Sequence, residues 1–327
     1  MTRFILSRLF WAVPIIILIL AVNFLLVHLA PGDPVQALVG DFPAPQSYIN
    51  QVRHEFGLDQ SIWVQLWRYF ENLASGNLGY SFANRQPVLD LLLVRTGATL
   101  ILMIPALTAA SVLGVFLALL AAPRSGSVFD SGITALSLFG YSVPIFWLGQ
   151  LFIILFSIHL GWLPAQGMIS LRSAGTGWGY ARDLIWHMVL PVFSITIFFI
   201  AIVARVARAS VVGVLSEDFI TTALAKGMSR RTVLWRHVLP NAMIPVVTVI
   251  GYNFGYSLTG AILVETVFAW PGLGNLFITS VGNRDYPVLQ GILLFSAIMV
   301  VIANLATDFM YVILDPRVRR SYGAQNA

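Results

Sequence analysis

Six long intervals without a charged residue limit what this 327-residue chain can fold into. Each interval holds the roughly 20 consecutive apolar residues that a membrane-spanning helix needs. Only 10% of the residues are charged, whereas a soluble domain carries about 25%, so too little charge remains for a water-facing surface. We therefore predict an all-α membrane protein with about six transmembrane helices, in the intervals 9–32, 96–123, 131–171, 184–204, 237–264 and 286–307.

The third interval is long enough for two spans. Its second part contains Gly161, Trp162, Pro164 and Gly167, a composition typical of an interfacial loop. We therefore predict one span, near 133–160. A second span would also place the basic stretch 205–236 outside, against the positive-inside rule.

Lysine and arginine predict the orientation. With the N-terminus inside, twelve of the nineteen fall in cytoplasmic segments. The other seven fall outside, four of them in one long loop, where charge counts less. We predict that both termini are cytoplasmic. The cytoplasmic set is Arg3, Arg8, Arg124, Arg205, Arg208, Lys226, Arg230, Arg231, Arg236, Arg317, Arg319 and Arg320.

These assignments divide the chain into four parts. Residues 1–30 are the cytoplasmic N-terminus and first span, which is longer than the roughly 7–15 apolar residues of a signal peptide and is predicted to be retained. Residues 31–95 are an exterior insertion that includes an aromatic, helix-like stretch. Residues 96–315 are a five-helix core, which contains a cytoplasmic loop at 205–241, and residues 316–327 are a cytoplasmic tail.

The cytoplasmic loop has a helical pattern. On a wheel of residues 216–226, Phe219, Ile220, Ala223 and Leu224 share one arc. The other arc and the flanking residues suit a helix that is capped by Ser216, carries acidic residues in its first turn and ends at Gly227. Ser229 is predicted to cap a second helix, 230–239, which Pro240 ends or kinks. Such a hairpin suits either the lipid headgroups or a groove on a soluble partner.

The same loop resembles the signature of ABC-importer permeases. The family pattern is Glu-Ala-Ala, three residues, Gly, nine residues, Ile-x-Leu-Pro. Here Ala223, Gly227, Leu239 and Pro240 match it at full spacing. Thr221, Thr222 and His237 replace the Glu, the first Ala and the Ile, and the string from Asp218 through Lys226 to Gly227 is similar to the peptide-importer branch.

Further motifs extend the resemblance over nearly the whole chain. In order and spacing they are similar to the first permease subunit of dipeptide, oligopeptide and nickel importers. These motifs are Pro31-Gly-Asp-Pro34, Gly57-Leu-Asp59, Gly76-Asn-Leu-Gly-Tyr-Ser-Phe82, Gly140-Tyr-Ser-Val-Pro-Ile-Phe-Trp-Leu-Gly149, Leu160-Gly-Trp-Leu-Pro164 and Glu265-Thr-Val-Phe-Ala-Trp-Pro-Gly-Leu-Gly274.

The resemblance implies a type I importer permease that moves di- or oligopeptides inward by alternating access. It implies a homologous second permease, two ATP-binding subunits and an exterior solute-binding protein as partners, with ATP and Mg used by the ATPases and no cofactor on this chain. Phe219, Ala223 and Leu224 are the implied docking face, and the coupling loop as a whole comprises Asp218, Phe219, Thr221, Thr222, Ala223, Leu224, Lys226, Gly227, His237, Leu239 and Pro240. An importer of chelated nickel or another small solute is the alternative within the family.

Other functional classes have less support. The chain lacks the G-x-x-x-x-G-K-[ST] phosphate loop, so any ATPase must be another chain. We see no inverted repeat or chain of polar residues at the span centres, as a self-contained transporter or channel would need. Membrane lipid is the expected surrounding and no nucleic acid is expected, because the net charge of +5 fits basic cytoplasmic loops.

Several single residues favour structural roles. Glu265 and Asp308 lie near span ends, where we expect a carboxylate to contact water or a loop arginine. The five histidines lack metal-ligand spacing, so no metal site is predicted. We expect an aromatic belt to explain most of the tryptophans, and close helix packing to explain the Gly251–Gly255 pair, against another span or a sister subunit. The tryptophans near expected interfaces or outside are Trp63, Trp67, Trp147, Trp162, Trp178, Trp186 and Trp270.

Overall fold

Helices make up most of the protein. The computed structural model describes residues 2–29, 45–55, 57–81, 83–170 and 177–314. The predictions for the motif at 31–34, for Phe82 and for the tail at 316–327 lie outside these residues, so the orientation of the termini stays a prediction.

Four of the described helices are long and apolar enough to cross a membrane unaided. They are α4 (Val88–Ala121), α7 (Trp178–Leu215), α10 (Leu239–Gly260) with the short helical turns before it, and α13 (Tyr286–Leu314). Helix α1 (Thr2–Leu29) occupies the first predicted interval, and its apolar stretch of described side chains runs from Phe10 to Leu26. The crossing by α1 therefore stays a prediction.

The third interval, which we predicted to hold one span near 133–160, is divided into two helices that together are long and apolar enough for one broken span. It forms α5 (Val128–Ser142) and α6 (Ile145–Phe152), and α6 continues as a π-helical segment to His159. The two parts meet at an angle of 94°. Pro144 stands at the break, because its ring and missing N–H prevent α5 from continuing. By contrast, Pro105 and Pro191 lie inside α4 and α7 without dividing them.

The core lies where α4 packs along α7. Small and aliphatic side chains of α4 fill this contact. Leu102, Ala106 and Ala110 are among them, and each is 0% exposed. Helix α10 packs against α7 on one side and α13 on another, and α1 packs on α13. Helices α10 and α13 therefore pack beside the α4–α7 pair, and α1 lies against α13.

The Gly251–Gly255 pair has its partner within this chain. A Cβ at Gly251 would collide with the side chain of Thr307 in α13, and a Cβ at Gly255 would lie 3.3 Å from that of Ala303. Beside this contact, Thr248 and Tyr311 share a hydrogen bond between their hydroxyl groups. The glycines therefore allow the α10 backbone to approach α13 closely, as small residues do in membrane helix pairs.

The insertion that we predict to be exterior forms α2 (Gln46–Glu55), α3 (Ile62–Ala74) and a two-stranded hairpin, β1 (Tyr80–Ser81) with β2 (Gln86–Pro87). Tyr69 of α3 lies against Phe24 of α1, with ring centroids 5.5 Å apart. The hairpin is bound to the turn before α13 by Ser81, whose hydroxyl donates to Asp285 Oδ2 at 2.5 Å. The insertion is thus packed onto the spans at two points.

Two short helices lie on the side that we predict to be exterior, α11 (Ile262–Val267) and α12 (Leu273–Gly282). They follow α10 and precede α13. Between them the chain folds back so that Trp270 becomes fully buried. On the opposite side of the membrane, α8 (Asp218–Ala225) and α9 (Arg230–Val233) join α7 to α10.

Candidate functional site

The cytoplasmic loop forms one short helix with a defined end. Two residues separate the end of α7 from the start of α8, which runs for eight residues. The N–H of Gly227 donates to Leu224 O at 2.9 Å, and that of Met228 donates to Ala223 O at 3.3 Å. These two bonds define a Schellman motif, and Gly227 has the left-handed φ of +81° that this motif requires. Gly227 therefore sets the angle at which the chain leaves α8.

One side of α8 is packed on its own chain. Ile220 and Ala223 are only 2% and 8% exposed. They join a cluster with Leu119 of α4, Val211 of α7 and Val238 just before α10. The loop is therefore fixed to three spans, and a displacement of α8 is passed to all of them.

The other side of α8 is uncovered. Phe219 and Leu224 are 43% and 42% exposed, although both are large and apolar. They come from the same predicted arc as Ala223, so the structure divides that arc between the chain's own core and the outside. Ala223 contacts its own chain, and Phe219 and Leu224 are left for a partner.

Exposed polar residues surround this pair. Asp218, Thr221, Thr222 and Lys226 are all exposed. The hydroxyl of Thr222 donates to Asp218 O at 3.0 Å, so this side chain is held along the helix. The uncovered face of α8 is thus an apolar pair with a polar rim, the pattern found in interfaces between separable proteins.

Ser216 does not cap α8. Its hydroxyl donates to Gly213 O at 2.6 Å, so it completes the end of α7, and Glu217 occupies the N-cap position without a side-chain bond. Ser229, in contrast, accepts from the N–H of Thr232 at 3.2 Å, so the predicted cap of the second helix is confirmed.

The second helix is not a separate element. Residues 230–233 pass through a π-helical segment, Leu234–Val238, directly into α10. Pro240 lies inside this continuous helical run, directly after the π-helical segment, and the helix continues through it. Local π-helical adjustment is one way in which a membrane helix tolerates the missing N–H of proline. His237 and Leu239 are half-buried on this segment, and Pro240 is exposed. The loop is therefore one free-standing helix joined to one extended span.

An ion pair that the sequence did not single out lies beside the loop. Arg208 of α7 donates from Nε and Nη2 to the two carboxylate oxygens of Asp130, both at 2.5 Å. Asp130 is 3% exposed and also accepts from the N–H of Gly126 at 3.0 Å. Ser127 caps the same helix, and the Ser-x-x-Asp spacing is the pattern that predicts this turn. The pair joins α5 to α7 at their cytoplasmic ends.

From the position of Glu265 near a span end we expected its carboxylate to contact water or a loop arginine. The structure instead buries it away from water. It is fully buried, accepts from the Thr99 hydroxyl at 2.7 Å through Oε1, and accepts from the Asn275 N–H at 3.0 Å through Oε2. Thr99 in turn accepts from the Leu273 N–H at 2.9 Å, and a Cβ at Gly272 would collide with the carboxylate. The motif 265–274 therefore binds the start of α12 to α4.

Trp270 belongs to the same arrangement and not to an aromatic belt. It is 0% exposed, and its Nε1 donates to Ala98 O at 2.8 Å. A belt position was predicted because tryptophan is common at membrane interfaces.

Among the described residues, no three His, Asp or Glu side chains lie close enough to hold a metal ion.

Comparisons with known proteins agree with this architecture. Residues 110–320 match the family of binding-protein-dependent transport system inner membrane components, and residues 1–103 match the N-terminal region of such components. The dipeptide transport system permease protein DppB of Escherichia coli K12 is 40% identical, over 98% of this chain and 99% of that protein. The di/tripeptide transport system permease protein DppB of Pseudomonas aeruginosa is 38% identical over the same shares.

A solved structure shows the same fold. The chain is similar to a chain of the inward-facing methionine ABC transporter MetNI, with a TM-score of 0.54 and 17% identity, over 69% of this chain and 97% of that one. The helical core and its cytoplasmic loop thus have the type I ABC-importer permease fold. The chain belongs to the family of binding-protein-dependent transport system inner membrane components, and it is a multi-pass protein of the inner membrane.

Proposed function

We propose that this chain is the translocating subunit of an ATP-driven importer of di- or oligopeptides. The observation that carries the proposal is α8, a short helix that is rigidly packed on three spans and keeps Phe219 and Leu224 uncovered. The peptide class comes from the two relatives named above, which align over nearly the whole chain.

In this proposal, α8 docks in a groove on a separate ATP-binding subunit. Burial of a large apolar side chain contributes about 1.5–3 kcal/mol, and somewhat less for side chains that are already half-covered. Closure of two ATPases on ATP then displaces two such helices relative to each other. ATP shifts the equilibrium between the outward-open and inward-open states only to the extent that it binds one of these states more tightly than the other.

The chain itself has a non-catalytic role in this scheme. It contains no phosphate-binding loop, so ATP and Mg bind to the partner ATPases. A homologous second permease completes the path, because a single subunit of about six spans is too small to enclose a peptide-sized path. An exterior binding protein delivers the peptide and supplies most of the selectivity.

Uptake of a labelled dipeptide into proteoliposomes tests the proposal. The complex encoded with this chain is reconstituted with its binding protein, and uptake is measured with ATP and with a non-hydrolysable analogue. We expect uptake only with ATP and competition by unlabelled peptides. Uptake that continues without ATP, or competition by chelated nickel and not by peptides, would contradict it.

A further inference from the structure

The uncovered face of α10 differs from the uncovered faces of α1 and α4. On α1 and α4 the uncovered positions are mainly aliphatic or aromatic, as lipid requires. Helix α1 exposes Val13, Ile17 and Leu18, and α4 exposes Ile104 and Val112, each between 49% and 65% exposed. These faces suit the hydrocarbon core of a bilayer.

Between residues 239 and 255, α10 exposes no aliphatic side chain. Apart from Pro240 at the start of the helix, its exposed residues are Asn241, Pro245, Thr248 and Tyr252, and Tyr252 is 67% exposed. At about 100° per residue they fall within one arc of roughly 60°. They define a stripe of three polar residues and one proline, Asn241–Pro245–Thr248–Tyr252, called the polar stripe below. The other described faces of this helix are covered by α4, α7 and α13.

The stripe runs from the cytoplasmic end of α10 into the membrane. Asn241 and Tyr252 are separated by eleven residues, which is about 16 Å along the helix axis. Asn241 Nδ2 donates to His237 O at 2.7 Å, and the Thr248 hydroxyl donates to Ile244 O at 3.1 Å and is bonded to Tyr311 of α13. These bonds hold the polar groups in place along the helix surface.

We infer that the polar stripe lines the water-filled path of the peptide, between this chain and the second permease. The inference rests on the proposed function for the identity of the solute. The stripe has no fixed charge, so it offers amide and hydroxyl groups that any peptide backbone satisfies. It does not discriminate peptides by side-chain charge, in agreement with selectivity that resides in the binding protein.

The absence of cysteine in this chain allows a direct test. Asn241→Cys, Thr248→Cys and Tyr252→Cys are placed one at a time in the complete complex, in nanodiscs that expose both membrane faces. The probe is a charged, membrane-impermeant methanethiosulfonate reagent. The matched control is Val112→Cys, which is 62% exposed on α4 at a similar distance from the cytoplasmic end of its helix.

A water-lined stripe predicts faster labelling than at the control. The reactive species is the thiolate, and an apolar surrounding raises the thiol pKa, so we expect labelling at stripe positions to be at least about tenfold faster than at Val112→Cys. Rates at Thr248→Cys and Tyr252→Cys that do not exceed the control rate would overturn the inference, because the face would then lie against lipid or a dry protein surface.

Labelling with and without ATP tests whether the polar stripe takes part in transport. We expect the labelling rates of Thr248→Cys and Tyr252→Cys to change by severalfold when ATP and vanadate trap the ATPases, while the rate at Val112→Cys stays constant. Fast labelling that is indifferent to ATP would support a water-lined face and contradict the ATP-coupled function. Slow labelling in a complex that still transports peptide would contradict only the stripe.

Discussion

Gly227 offers the sharpest perturbation of the coupling loop. Its φ of +81° is in the left-handed region, and a Cβ built on it meets no atom within 4 Å. Substitution therefore introduces backbone strain without a steric clash in the folded chain. The cost is about 1–2 kcal/mol for an L-residue with a side chain, and more for a β-branched one.

That strain energy is large enough to change the equilibrium of the turn it acts on. A cost of 1.4 kcal/mol is a factor of ten in an equilibrium, so Gly227→Val lowers the equilibrium constant for formation of the Schellman turn by roughly tenfold or more. The α8 helix then loses its defined angle to the segment that enters α10. We expect the number of ATP molecules hydrolysed per peptide to rise severalfold, because ATPase closure no longer moves the spans reliably.

Gly213→Ala is the matched control. Gly213 also has open space around its Cβ, but it lies inside α7 with ordinary helical geometry, so alanine there favours the helix by up to about 1 kcal/mol. ATP hydrolysis and peptide uptake are measured on the same proteoliposomes, after gel filtration shows equal assembly. A wild-type coupling ratio in a well-assembled Gly227→Val complex would refute this account of the loop.

Three further perturbations test other parts of the structure. Glu265→Ala leaves the Thr99 hydroxyl proton and the Asn275 N–H without an acceptor, so we expect a loss of about 1–3 kcal/mol per group, measured as lowered thermal stability in detergent. A Glu265→Ala variant as stable as wild type would argue against the buried network. Gly251→Val forces α10 away from Thr307, and we expect poor assembly, measured by gel filtration; normal assembly would contradict the close packing of α10 on α13. Burial raises the pKa of Asp285 above its usual 3.8, so the folded state binds this proton more tightly and its stability falls as pH rises from 3.8 through that raised value. Relative to Asp285→Asn, wild type should gain thermal stability as the pH is lowered towards 4, and parallel curves for the two proteins would contradict this.

Hydropathy predicted most of the helical architecture. Charge-free intervals located α4, α7, α10 and α13, because the bilayer tolerates few charges over about 20 residues. They did not locate the helix ends. Helix α4 begins at Val88 and α7 ends at Leu215, since the ends of a span extend into water, where charged residues such as Asp90 and Arg205 are tolerated.

The broken third interval and the buried exterior turn were not predictable from composition. Pro105 and Pro144 carry the same local penalty, yet only Pro144 divides its helix. The difference depends on the helices packed around each proline, which a sequence pattern does not specify. Likewise the burial of Glu265 and Trp270 depends on Thr99 and Ala98, more than 160 residues earlier in the chain.

The coupling loop was predicted in outline and corrected in detail. The glycine turn after α8 followed from the preference of left-handed positions for glycine, and the cap by Ser229 followed from ordinary helix rules. The wheel did not show which part of the apolar arc faces its own chain. Ala223 and Phe219 share that arc, and only the packing of α4, α7 and α10 distinguishes them.

The docking face of α8 is the central claim, and copurification tests it most directly. The tagged chain is expressed with its neighbouring genes, extracted in mild detergent, and its bound subunits are identified by mass spectrometry. The test variant is Phe219→Asp, and the control is Val128→Asp, which changes another exposed apolar residue near the cytoplasmic ends of the helices. We predict that wild type and the control retain a second permease and two ATPases, and that Phe219→Asp keeps the permease and loses the ATPases. Retention of the ATPases by Phe219→Asp, or a wild-type chain that purifies alone and transports without ATP, would contradict the account.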